Sequence, residues 1–480
     1  MLYLIISASL ILRLINLNQS LWLDEAININ NVKALDFKQL VLNYSLSDFH
    51  PPLYHLVLKL NTLILGSSEI AVRIPSVIFG VLTVYLTYLI GRKLFENKTA
   101  LIAATLIATS PLHIYYSQEA RMYSLAALLA ILSLYFFVSV TTKASIHNWL
   151  GFITATTLTL YTDYLPYTII PVYLAAIYFQ RKKFTNKLLI SFIPAFILMT
   201  LLLIPWLLVL PKQLAVGLSA AAASPAWASV VGSTDLQNLL LSFVKFTIGR
   251  ISLDNNHLYA LLFLPIAIFI SILFLMSIFR ISTARIIIWF WFFIPIILGY
   301  LTSFIVPVFS YFRFVFILPA FYLILSVGIN SVNISKFVRA FLIFALLINL
   351  ISLSIYLLNP KFQRENWKQA TNYIHTNASS NTIVLFEQGQ SIAPFDYYNK
   401  GRIKSYGALN GFSADEFEIK QRLNEITSDQ DKIFLFQYLS GITDTQGLLF
   451  REISNAGFIN VSTKDFNGVG FVYEFNKYPN

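Results

Sequence analysis

Residues 258–279 read LYALLFLPIAIFISILFLMSIF, twenty-two positions without one charged side chain. Wound as a helix the stretch reaches about 33 Å, at about 1.5 Å per residue, enough to cross the roughly 30 Å hydrocarbon core of a bilayer. Inside lipid every backbone N–H and C=O must be satisfied within the protein, and a helix does this within one segment. Ten further apolar stretches accompany it, at 2–17, 74–90, 99–116, 122–140, 149–162, 164–179, 188–210, 286–308, 314–330 and 338–358. Only Asp163 parts 149–162 from 164–179. The first stretch has neither a basic leader nor a small-residue cleavage site, so it reads as a retained span and not as a signal peptide. Composition agrees: of 480 residues 57% are hydrophobic and 12% charged, against about 25% charged in a soluble domain. That excludes a soluble globular enzyme for most of the chain, and excludes disorder. The reading is a polytopic α-helical membrane protein with about eleven transmembrane helices.

Charge is unevenly spread. Residues 1–360 hold 22 Lys/Arg against 10 Asp/Glu, and residues 361–480 hold 12 against 13. The short loops 91–98, 141–148, 180–187, 280–285 and 330–339 carry twelve Lys/Arg, whereas 117–121, 163 and 309–313 carry only Arg121 and Arg313. The positive-inside rule puts the first set in the cytoplasm. The second set, the long loops 18–73 and 211–257, and the charged C-terminal region then face outward from the cell membrane. The basic excess belongs to loops beside a bilayer, and with no nucleic-acid-binding motif no nucleic-acid partner is expected. With no cysteine in the chain, disulfides and thiolate metal sites are excluded.

Leu53–Leu65 is apolar but spans only thirteen residues, about 20 Å as a helix, and is expected to lie in the outer interface. From about Asn359 the pattern changes. Glu365–Thr376 and Asp415–Ile426 read as helices, and Thr382–Glu387, Lys432–Tyr438 and Gly468–Phe475 as strands. The expected division is a transmembrane domain over 1–358 and a small soluble α/β domain over 359–480. The Ala-rich Leu218–Ala228 in the second long loop reads as mobile or re-entrant.

Within the spans the only charged or histidine side chains are Arg13 and His113, each near an outer end, and Arg339 at the cytoplasmic end of the last. Ion-coupled transporters keep carboxylates or histidines at mid-membrane; here the ionisable groups gather at the outer face instead, among them Asp48. Asp24-Glu25 follows Trp22 just past the first span. One carboxylate there suits a general base and the other a positioning group or metal ligand; a solvated pair opening a helix is the plainer reading. His50 and His55 flank Pro51-Pro52-Leu53-Tyr54, where two prolines stiffen the chain ahead of the interfacial helix. His50 suits a metal or a phosphate oxygen, or belongs with Tyr54 to an interfacial belt. Glu119 and Arg121 share a tight outer turn running from Ser117 to Tyr123. Arg313 is a second outer arginine whose planar fork matches a phosphate, or a snorkelling anchor.

Taken in order, Trp22-Leu23-Asp24-Glu25-Ala26, His50-Pro51-Pro52-Leu53-Tyr54, Ile70–Pro75 and Ser117–Tyr123 resemble the GT-C membrane glycosyltransferases. The nearest branch is glycosyltransferase family 39, with protein O-mannosyltransferases and the lipid A aminoarabinose transferase among its relatives. The resemblance covers roughly 1–360 and is strongest over 18–125. It implies an enzyme taking a sugar from a polyprenyl-phosphate donor at the outer leaflet. By position Asp24 resembles the catalytic aspartate of the first loop, Glu25 its acidic companion and Glu119 the acid of the second loop. Arg121 and Arg313 resemble groups near the donor phosphate, and His50 and Tyr123 join them on the substrate side. Arg250 and Asp254, with His257 close by, match a loop that orders over the donor. Asp163 stands where many relatives carry histidine, and with His55 is a further candidate.

On this reading the leaving group is an anionic phosphate, so a base for the acceptor hydroxyl and positive groups on the phosphate suffice. Asp24 is the expected base, with inversion at the anomeric carbon, and the acceptor hydroxyl belongs to protein, lipid or glycan. Glu25, His50 and Glu119 are the candidates to hold a divalent ion (Mg, Mn or Zn). The alternatives are a transporter or flippase of lipid-linked sugars, and an O-antigen ligase or polymerase using a diphosphate donor.

Overall fold

The computed structural model describes residues 1–223, 232, 234–279, 282, 285–332, 334–410 and 414–478. Two compact units emerge. One takes Met1–Leu17, Leu35–Leu218 and the stretch that ends at Leu358; the other takes Asn18–Ala34 together with the described residues from Asn359 onward.

In the first unit each of the eleven apolar stretches is helical, but they are not equivalent. Among the described residues six helices are long and apolar enough to cross a membrane: Glu69–Leu94, Tyr123–Thr142, Asn186–Leu207, Asn256–Ile278, Tyr311–Asn330 and Ser335–Leu358. Asn97–Ala108 and Pro111–Ser117 form a seventh only if counted together, since they bend by 60° at the break. Pro111 has no N–H to continue the ladder, and the Ser110 hydroxyl caps the new helix by accepting from His113 N at 3.3 Å. The four remaining stretches give helices at Leu2–Leu14, Ile146–Leu160, Ile169–Gln180 and Ile286–Thr302, of 13, 15, 12 and 17 residues. The expected eleven spans therefore come down to six or seven by length. Hydropathy had counted apolar chain that is not α-helix: Leu165–Thr168 is a 3-10 turn, and residues 303–308 lie past the helix end.

Leu53–Leu65 is a thirteen-residue helix as expected, opened by Pro52 and closed by Gly66 at φ 80°, a conformation glycine reaches without steric cost. The unit is packed through aromatic rings and close backbone approaches. Phe274 meets Phe292 at 5.2 Å between centroids and Phe292 meets Phe321 at 5.8 Å, which ties three helices together. At Gly328 a Cβ would land on the Leu273 carbonyl, so only glycine allows that crossing.

Arg13 and His113, the in-span exceptions near the outer ends, meet each other. Arg13 Nη2 lies 2.6 Å from His113 Nδ1, and Nη1 donates to Ser9 O at 2.9 Å and Ala108 O at 3.2 Å. A buried charge is tolerated where it is surrounded by acceptors in this way.

The second unit holds a five-stranded sheet in the order β2-β1-β3-β5-β4. β1 (Thr382–Phe386) runs parallel to β2 (Lys404–Gly407) and β3 (Lys432–Phe436), while β4 (Phe458–Phe466) and β5 (Gly470–Lys477) form an antiparallel hairpin on its far side. Val384, Phe386, Phe434 and Phe436 face one apolar layer with Trp367 and Ile374. Ile383, Leu385, Ile433 and Leu435 face the other with Ile419 and Leu423. Both faces are covered, which is why the central strands read as unbroken apolar runs.

The Leu23–Ala34 helix of the first loop is built onto this unit. Leu23 packs on the Trp367 layer. Leu21 N donates to the Tyr398 hydroxyl at 2.9 Å, Asn30 Nδ2 donates to Ala393 O at 3.0 Å, and Lys368 N donates to Ser20 Oγ at 3.1 Å.

Glu387, one residue past β1, is 2% exposed. Burial pushes its carboxyl up to about 8, and the Asp444 carboxylate adds to the shift. An unfolded glutamate titrates near about 4.3, so between these values the folded state holds a proton that the unfolded state releases. Stability from this group is complete below about pH 4.3 and is lost as pH rises through about 8. The melting temperature of the wild type should therefore fall from pH 5 to 8 relative to Glu387→Gln; parallel curves would refute this.

Candidate active site

The turn from Ser117 to Met122 is stapled in place before any of its charges are considered. Ser117 Oγ donates to His113 O at 2.6 Å. Gln118 Nε2 donates to Arg13 O at 3.0 Å and Ile15 O at 2.7 Å, and Gln118 Oε1 accepts from the Tyr356 hydroxyl at 2.9 Å. One glutamine thus binds the turn to the end of the first helix and to the last span. Glu119 and Arg121, held by this frame, are buried.

Arg121 leads to the second element. Its Nη2 lies 3.4 Å from His50 Nε2, and its guanidinium lies 5.5 Å over the Tyr123 ring. Tyr123 packs edge-on to Phe312 at 5.8 Å, and Phe312 carries the neighbouring Arg313 guanidinium at 5.9 Å from its ring. Asp163 is buried, with Oδ1 accepting from Tyr164 N at 2.7 Å. Burial works to lower His50, but Asp48 and then Asp163 outweigh it and the opposing Arg313, so the ring is raised above its ordinary value. At Arg121 burial prevails and lowers the group; Tyr123 and Asp163 oppose it and Arg313 adds to it. His50, Arg121, Tyr123, Asp163 and Arg313, five residues singled out from the sequence, thus form one group.

His50 Nδ1 lies 3.2 Å from Asp48 Oδ2, and His55 Nε2 lies 3.3 Å from the same oxygen. Burial acts to raise Asp48, yet His50 and His55 overcome it and hold the carboxyl below the usual range. Burial pushes His55 down to about 4 despite the Asp48 charge. Beside this corner runs an apolar groove of about 340 Å³, lined by Leu46, Pro52, Leu53, Leu158, Tyr161 and Trp206 among others.

Arg250 donates to the Tyr115 hydroxyl and lies 4.6 Å over that ring. Lys245, unremarked in the sequence, donates to Ile251 O and lies 5.4 Å from the Tyr259 ring and 5.7 Å from the Tyr311 ring. Sequence reasoning also passed over Tyr115, Tyr311 and Gln213. Their only signal was aromatic or amide residues next to candidate charges. Asp254 and His257 lie exposed around the start of the Asn256–Ile278 helix. Asp24 and Glu25 sit in the first turn of the Leu23–Ala34 helix in the other unit, Glu25 fully buried and Asp24 partly so. The Leu218–Ala228 stretch is helical to Ala223; its remainder, like Arg280, lies outside the described residues.

Among the described residues no three His, Asp or Glu side chains form a metal-holding group. His50 does not fit a cation, since Nδ1 faces Asp48 and Nε2 faces a guanidinium. Its surroundings suit an anion.

Residues 49–210 match a family model described as dolichyl-phosphate-mannose-protein mannosyltransferase. Curated protein sequences give no significant match. Among solved structures, apo ArnT from Cupriavidus metallidurans superposes with a TM-score of 0.58 at 12% identity, covering 100% of this chain and 99% of that one. ArnT bound to undecaprenyl phosphate gives 0.56 at 12%, with the same coverage. The oligosaccharyltransferase AglB from Archaeoglobus fulgidus, in complex with an inhibitory peptide and a dolichol-phosphate, gives 0.57 at 13%, covering 98% of this chain and 74% of that one. AglB has also been solved with Zn and sulfate, at 0.56 and 14%, covering 98% and 72%. Both proteins are GT-C glycosyltransferases, and the chain shares their fold.

Proposed function

From a membrane protein of the GT-C fold whose residues 49–210 match a mannosyltransferase family, we propose a glycosyltransferase that moves a sugar from a polyprenyl-phosphate donor to an acceptor hydroxyl. It works on the extracytoplasmic side of the cell membrane. The observation that carries this reading is the juxtaposition of a cationic group and an apolar groove within one unit: Arg121, His50 and Arg313 beside the groove at Pro52 and Leu53. An anionic head on a long hydrocarbon chain is the ligand that uses both.

The phosphate is held by Arg121, His50 and Arg313, with Arg250 approaching from the second long loop, and the prenyl chain runs along the groove. Glu119 orients the sugar or the acceptor. Asp24 takes the proton from the acceptor hydroxyl as its oxygen attacks the anomeric carbon. The bond from that carbon to the phosphate oxygen breaks on the opposite face, and polyprenyl phosphate leaves with the electron pair. Glu25, buried beside Asp24, supports its placement. The acceptor is a hydroxyl of protein, lipid or glycan. No step is routed through a metal ion.

Transfer of label from a polyprenyl-phosphate sugar pool in membranes tests the reading. Arg121→Ala should raise the donor KM about tenfold or more, the scale of about 1.5–3 kcal/mol for a lost charge-assisted hydrogen bond. A wild type that moves labelled lipid across the bilayer without forming a product would replace transfer with transport.

A further inference from the structure

The Asp48 carboxylate is not needed for any step above, yet it sits at the best-fastened point of the corner. Its Oδ2 receives two imidazoles, His50 Nδ1 at 3.2 Å and His55 Nε2 at 3.3 Å. An ionised carboxylate has no proton to give, so the two ring nitrogens that face it, His50 Nδ1 and His55 Nε2, are donors. His55 is fixed from behind: Ser45 Oγ lies 3.3 Å from its Nδ1 and the Tyr44 ring 4.9 Å from its centroid. The Asp48 carbonyl accepts from Gln213 Nε2 at 2.7 Å. Gln213 in turn accepts from the Tyr164 hydroxyl, which receives Trp206 Nε1 at 3.0 Å. Asp48 is thus clamped by its backbone and by His55, while His50 is followed by Pro51-Pro52, which restrict its backbone. The two contacts that orient its ring are Asp48 on Nδ1 and Arg121 on Nε2.

We propose, on the basis of the transferase reading above, that Asp48 is a positioning residue for the donor phosphate. Through Nδ1 it locks the His50 ring, as the imidazolium, so that the Nε2–H is presented, beside Arg121, to a phosphate oxygen of the lipid carrier. His55 is the strut that keeps Asp48 from turning away. Without the carboxylate the ring can flip, exchanging nitrogen for carbon at the position that meets the phosphate.

The test is binding of undecaprenyl phosphate to the full chain in nanodiscs, with undecaprenol as the uncharged control. Wild type, Asp48→Asn, His50→Gln and the double variant are compared at matched melting temperature. His50→Gln and Asp48→Asn should each raise Kd about tenfold, and the double variant should bind no more weakly than His50→Gln alone. Such non-additivity marks two residues acting as one. Where Asp48→Asn does not accumulate, Asp48→Ser takes its place in the cycle. An unchanged Kd for the Asp48 variant, or effects that multiply, overturns the positioning role and leaves the transferase reading intact. A wild type that prefers undecaprenyl phosphate no more than undecaprenol overturns both.

Discussion

Asp24→Asn should leave a protein that inserts, keeps its melting temperature and binds polyprenyl phosphate, but transfers sugar at least about a hundredfold more slowly. A positioned general base contributes about 10²–10⁴ to rate, and the amide keeps the shape of the carboxylate while losing its basicity. The loss should fall on kcat, because the groups assigned to the phosphate are on other residues. Asp24 stands in the first turn of its helix, where the free N–H groups favour a negative charge; an asparagine there cannot take a proton. Measuring transfer and donor binding on the same preparation separates the two effects. Equal rates for wild type and variant would remove Asp24 from the mechanism.

A chain ending at residue 358 should be inactive, with the same assay showing transfer at background. The helix bearing Asp24 and Glu25 rests on the C-terminal unit. Leu23 enters the Trp367 layer, Tyr398 receives the Leu21 N–H, and Ala393 receives Asn30. Removing that support exposes Leu23 and leaves a twelve-residue helix of a length at which isolated helices are marginal in water. Donor binding by Arg121, His50 and Arg313 should survive, since those residues and the groove lie in the membrane unit. A truncated chain with wild-type turnover would show that the first-loop helix forms unaided.

The membrane class was legible because a run such as 258–279 has few other solutions, and because Glu119, Arg121 and Arg313 stand out against apolar neighbours. Helix limits were less so. Phe304–Val308 is as free of charge as the helix before it, though only the latter closes a hydrogen-bonded ladder. In the C-terminal unit β1 and β3 were visible as buried apolar runs. β2 has four residues at the sheet edge, and β4 is mostly exposed along its length, so neither carries a strong period. The link of His50 to Arg121 spans 71 positions and that of Leu21 to Tyr398 spans 377. Nothing in local pattern announces such pairs. Asp48 was close enough to His50 to be noticed, but not that one oxygen serves two rings.

The distance between Leu21 and Tyr398 also sets an order of events during synthesis. The first-loop helix emerges early, while its seat is made last. At about 5–20 residues per second, roughly 20–75 s pass before Tyr398 exists to receive it. Through that interval the nascent chain has the acid but not the seat of its helix, so on the proposed mechanism an incomplete protein in the membrane would not spend lipid-linked sugar on the wrong acceptor.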